Sequence, residues 1–125
     1  MDLTVFFKSV LDQDTAPVVL CDLEHTIIYM NPVAAKRYES RGGWDLVGSN
    51  LKDCHGPYGA EMIDKVVAWF TESADHNIIF ESRNDEENKD VYMVALRDED
   101  GKLIGYYEKH EYRGPETGKC YEPLA

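Results

Sequence analysis

The chain lacks the residues that several function classes require. Its three cysteines, Cys21, Cys54 and Cys120, are odd in number and nowhere spaced as CxxC, so neither a disulfide framework nor a zinc site is supported. Basic residues are scarce, 13 against 24 acidic ones, and the resulting net charge of −11 argues against nucleic acid or an anionic membrane as a partner. No apolar run approaches the ~20 residues that span a bilayer, and the N-terminus has no basic, apolar, small-residue series of the signal-peptide kind. A reducing cytoplasm is the expected compartment. Repeats, low-complexity segments and a second domain are missing as well.

What is there suffices for one core. With 125 residues, 43% of them apolar, the chain fits a single domain that buries roughly two-thirds of its unfolded surface. The clearest pattern lies between Asp90 and Tyr112. Val91–Leu96 and Leu103–Tyr107 are rich in β-branched and aromatic residues, and RDEDGK between them carries Gly101 for a positive-φ turn, so the stretch reads as a β-hairpin. Alternation places Val91, Met93 and Ala95 on one face and Tyr92, Val94 and Leu96 on the other.

The remaining elements follow from periodicity and punctuation. Leu3, Phe6, Phe7, Val10 and Leu11 recur at helical spacing behind Asp2, predicting an amphipathic helix that covers its own sheet or pairs with a second copy. Val18–Cys21 and Ile27–Met30 read as an antiparallel strand pair around the turn DLEHT. Asn31-Pro32 supplies an N-cap and a first helical proline for a short helix to about Tyr38. Trp44, Leu46 and Val47 form a small apolar cluster ended by Gly48, and Ser49 caps a further turn through Leu51. DCHGPYG, Asp53 to Gly59, reads as irregular. From Tyr58 to Ser73 the period is helical, with Met62, Ile63, Val66, Val67 and Phe70 on one face and Trp69 at its edge. His76–Arg83 reads as a strand, and DEENKD as a solvated loop rather than a metal site. The tail GPETGKCYEPLA carries turn residues without periodicity, and a loose segment is expected over 114–125. Hairpins at both ends of a helical middle imply an α+β fold, an antiparallel sheet with helices gathered on one face.

In this order the pieces resemble a PAS domain. The resemblance rests on VVLCDLEHTIIYMNPVAAKRY, on DLVGSNLKDCH with Leu46-Val47-Gly48 and Leu51, on the helix from Met62 to Phe70, and on VYMVALRDEDGKLIGYYE with Asp98, Gly101 and Gly105. It covers about residues 14 to 112, leaving residues 1–13 as a capping or dimerisation helix. DCHGP is also similar to the Cys-His-Pro-type segment of a PAS subgroup from anaerobic bacteria. The resemblance implies a five-stranded antiparallel sheet in the order 2-1-5-4-3, helices on one face, and a pocket between them that holds haem, flavin, a small metabolite or nothing. Many members dimerise through an N-terminal helix, which suits Leu3 to Leu11, and a dimer through that helix and the outer sheet face is expected here. Many members end their last strand with Asp-Ile-Thr before a signalling helix. Here Tyr112-Arg113-Gly114-Pro115 stands instead and no heptads follow, so a free-standing domain acting on a separate signalling partner is expected.

Candidate ligand-binding residues are Met30, Cys54, His55, Met62, Val66, Phe80, Met93, Tyr106 and Glu108. Met30, Phe80, Met93 and Tyr106 suit an adaptable apolar lining, or ordinary core. His55 would ligate haem iron or bond a ligand carboxylate, against the plainer reading that it caps its loop through backbone. Haem-binding relatives place the proximal histidine on the long helix, and Met62–Phe70 contains none. Cys54 does not reproduce the flavin motif, since Gly48-Ser49-Asn50-Leu51-Lys52-Asp53-Cys54 departs from Gly-x-Asn-Cys-Arg-Phe-Leu-Gln. Glu108 shares a face with His110. Turned inward, it would anchor a ligand or pair with Arg97; surface charge is the expectation. Cys54-His55 is the one adjacent nucleophile–base pair, has no orienting third residue, and so carries no enzyme assignment. The expected function is a cytoplasmic, dimeric sensory domain that binds a small apolar or amphipathic ligand. A haem-based sensor and a ligand-free interaction module are the alternatives.

Overall fold

In the computed structural model, which describes residues 1–124, five strands form one antiparallel sheet. They are β1 Val19–Asp22, β2 Ile27–Met30, β3 Ile78–Asn84, β4 Lys89–Arg97 and β5 Leu103–Tyr112, in the spatial order β2-β1-β5-β4-β3. The helices are α1 Thr4–Gln13, α2 Pro32–Arg37 and α3 Pro57–Glu72, with three short 3₁₀ turns between α2 and α3. The α+β sheet order is the one the resemblance implied.

Three local readings are corrected. Regular structure enters DCHGPYG, because Leu51–Cys54 closes a 3₁₀ turn capped by Asn50 rather than by Ser49, and Pro57 opens α3. Proline costs nothing at a first helical position, where its missing N–H has no partner to lose. Ser49 instead donates its hydroxyl to the Leu46 carbonyl. The loop DEENKD shortens to a tight turn, since β3 runs to Asn84 and β4 already starts at Lys89.

Two bulges decide which side chains meet the helices. Phe80 pairs with Tyr92 and Ser82 with Val91, leaving Glu81 as an extra residue on β3. Arg97 pairs with Leu103 and Leu96 with Gly105, leaving Ile104 extra on β5. Without the second bulge, a buried Leu103 would put Tyr106 outside. With it, Leu103 and Tyr106 are both buried, and Tyr106, Glu108 and His110 share the inner face opposite Ala95, Met93 and Val91.

The core joins Cys21, Met30, Met93 and Tyr106 of the sheet to Ala34 of α2 and to Ile63, Val66 and Phe70 of α3. Asn31 ties its margins together. Its Oδ1 accepts from the N–H groups of Val18 and Ala34, and its Nδ2 donates to the carbonyls of Leu11 and Ala16. A fully buried amide therefore has every hydrogen bond it needs. α1 is fastened at this end alone, where the Tyr29 hydroxyl also donates to Asp12. No α1 residue is buried, and Val5, Phe6, Phe7 and Val10 are exposed. Residues 113–124 are exposed throughout and hold one short 3₁₀ turn.

Candidate functional site

Between the sheet and α3 lies a cavity of about 510 Å³. Its floor is apolar: Cys21, Ile27 and Met30 come from β1 and β2, Ile63 and Val66 from α3, and Met93 from β4. Met30 and Met93 are buried here, flexible side chains able to follow the shape of what they touch. At the floor the Tyr106 hydroxyl lies 2.8 Å from His25 Nδ1. Beyond it, His25 Nε2 stands 3.4 Å from Asp64, which Lys52 grips at 2.6 Å. Burial raises the Tyr106 phenol and pushes the Cys21 thiol up to about 11, so both stay protonated at neutral pH. Cys21 is thus an inert wall.

The opposite end is polar. Glu81, Glu108 and His110 line it, with Tyr38 packed partly buried against the core and Arg41 and His55 exposed on its border. His110 Nε2 is 3.2 Å from Glu108 Oε1, and the Glu81 and Glu108 carboxyl groups are within hydrogen-bonding reach of each other. Burial, then the bond to Glu108 and its charge, raises the Glu81 carboxyl well above the usual carboxylate range. Burial pushes Glu108 upward too, but the hydrogen bonds from His110 and Glu81 outweigh it and hold Glu108 low. The pair therefore shares one proton and one negative charge near neutral pH. His110 is the buried member: its side chain is 5% exposed, and Nδ1 has no hydrogen-bond partner among the described residues.

All nine residues singled out from the sequence border this cavity, though not all through their side chains. Met30, Val66, Met93 and Tyr106 belong to the buried floor, and Met62 lies at its exposed edge. Phe80 meets only the rim. Its ring packs on Tyr92 across the outer sheet face, with centroids 5.7 Å apart, and is 58% exposed; Ile79 and the bulged Glu81 take the inner positions. Glu108 faces inward, against the expectation of surface charge, because the Ile104 bulge resets the alternation of β5. Arg97 is not its partner. That guanidinium bonds Asn77, Gly101 and the carbonyls of Phe70, Ser73 and His76, closing the C-terminal end of α3. His55 sits exposed at the rim with Nδ1 2.9 Å from the Leu51 carbonyl, the backbone role weighed against ligation. Sequence reasoning missed Glu81. With Phe80 taken as an inner residue, alternation puts Glu81 outside, and its charge reads as solvent-facing.

Among the described residues, no group of three or more His, Cys, Asp or Glu side chains forms a metal site, and no helix is long and apolar enough to cross a membrane. No family model and no curated protein matches the chain. Solved structures do. The C-terminal domain of a Streptococcus mutans protein is 19% identical with a TM-score of 0.65, over 85% of this chain and 81% of that one. The PAS domain of a Colwellia psychrerythraea protein is 16% identical with a TM-score of 0.64, over 90% and 98%. The Aer2 receptor of Vibrio cholerae, described as a dual PAS-heme oxygen sensor, is 18% identical with a TM-score of 0.57, over 76% and 91%. The chain has the PAS fold.

Proposed function

We propose that this is a sensory domain that binds a small amphipathic molecule between sheet and α3 and passes the occupancy on as a dimer. One observation carries the reading: the cavity of about 510 Å³ joins an apolar floor to a polar end that holds a buried, unpartnered imidazole nitrogen. A cavity of that size gives up packing that a filled core would keep, and a ligand restores it. Haem fits poorly. α3 presents no histidine to the cavity, His55 is engaged at the rim, and haem propionates would meet the Glu81–Glu108 pair. No catalytic role is assigned: the hydrogen bond described for the His55 ring goes to the Leu51 backbone carbonyl, and none joins it to Cys54.

Native mass spectrometry of freshly purified protein tests the reading. A co-purified small molecule supports it. Bare protein that also fails to gain thermal stability from any small amphiphile contradicts it, and a haem-sized adduct would replace it with the haem reading.

Dimerisation has its own support in α1. A helix with Val5, Phe6, Phe7 and Val10 exposed, fastened only at its C-terminal end, keeps an apolar stripe that a second copy would cover. Phe6→Glu with Val10→Lys should halve the mass seen by light scattering without lowering the unfolding midpoint. An unchanged mass removes the dimer from the proposal.

A further inference from the structure

The polar end of the cavity brings two carboxyl groups and a buried imidazole together. Glu81 reaches it by alternation from Ile79, which pairs with the inner Met93, and Glu108 and His110 reach it from the inner face of β5. With His110 neutral, the Glu108 carboxylate 3.2 Å from Nε2 favours the tautomer that carries its proton on Nε2. Nδ1 is then a lone pair, on a side chain 5% exposed, with no hydrogen-bond partner among the described residues. Burying an acceptor without a donor is costly, so the cluster is complete only when something with N–H groups sits against it. The cations nearby do not supply it. Arg41 is exposed on the rim and directs Nη1 to the Cys54 carbonyl, and His55 is bonded to Leu51.

We propose that the cavity takes a small organic cation, its ammonium group seated among Glu108, Glu81 and the free Nδ1 of His110, and its apolar body against Met30, Met93 and Val66. The inference rests on the reading of the cavity as a ligand site and names the chemistry of the ligand. Three N–H bonds of an ammonium match two carboxylates and one imidazole lone pair. The proton that Glu81 shares with Glu108 leaves for solvent as the ammonium enters, so the site exchanges one positive charge for another. An alcohol of the same shape would meet the same floor with one donor and no charge. A carboxylate would meet like charge.

Calorimetry on the full chain with tryptamine, tryptophol and indole-propionate separates these cases, because the three share one aromatic body and differ in the head group. Tryptamine should bind about tenfold or more tighter than tryptophol, the weight of a charge-assisted hydrogen bond, and indole-propionate weakest of all. Glu108→Gln should bring tryptamine down to the level of tryptophol while leaving tryptophol unchanged. If that variant does not fold, Glu81→Gln serves for the same comparison. Tryptophol binding as well as tryptamine in the wild type, or indole-propionate binding best, overturns the cation and leaves the ligand cavity standing. Failure of all three to bind overturns both.

Discussion

Asn31 and His110 are two deeply buried polar side chains with opposite fates. Asn31 spends both donors and its acceptor on four backbone groups, joining the end of α1, the segment before β1, and the start of α2. His110 has one nitrogen on Glu108 and the other on nothing. A buried polar group that is fully bonded holds chain segments in register, whereas one left incomplete is a site awaiting a partner. The difference separates the part of the molecule that maintains the fold from the part that can respond.

Breaking the Asn31 side of that comparison should have the largest effect. Asn31→Ala strands two buried N–H groups and the Ala16 carbonyl and removes the α2 cap, with an expected loss of roughly 2–4 kcal/mol in urea unfolding. A loss under about 1 kcal/mol would mean that water replaces the amide, and the contrast with His110 would disappear. Gly105→Ala comes next. A Cβ there would stand 2.2 Å from the Cys21 carbonyl oxygen, so β1 must shift away from β5, at an expected cost of about 1–3 kcal/mol. A variant as stable as wild type would show that the sheet yields locally.

The His110 side responds to pH. Because the folded Glu81 carboxyl is raised, its stabilising contribution is present in acid and fades as pH climbs from the ordinary carboxylate range past neutrality. Glu108 is held low, and its contribution fades instead as pH falls below that range. Glu81→Gln should therefore flatten the decline in midpoint between about pH 5 and about pH 8 while leaving the acid limb in place. Equal slopes for the two proteins would show that Glu81 is ionised freely. The smallest stability effect is expected for His110→Leu, within about 1 kcal/mol of wild type and of either sign, since it removes an unsatisfied buried group along with its bond to Glu108. A loss comparable to that of Asn31→Ala would make His110 structural and count against the ligand it is proposed to meet.

Much of this was legible in the residues. Asn31-Pro32 announced a cap and a helix start, and the structure adds that the same amide reaches back to Leu11 and Ala16, contacts that no local motif encodes. The apolar face of α3 was readable as Ile63, Val66 and Phe70, because helical period is a local property. The polar end of the cavity was not readable. Whether Glu108 points in or out depends on one extra residue, Ile104, in the pairing of β5 with β4, and the facing of Glu81 depends on which of Ile79 and Phe80 the register with β4 turns inward.

Residue order alone therefore determined the elements, their succession and the apolar stripe of each, since propensity, capping and period act within a few positions of one another. Only the assembled sheet decided which carboxylates share a proton, which imidazole nitrogen goes without a partner, and that α1 finds no cover in its own domain. Those outcomes depend on register between strands distant in sequence, and a shift of one residue reverses the facing of every side chain beyond it.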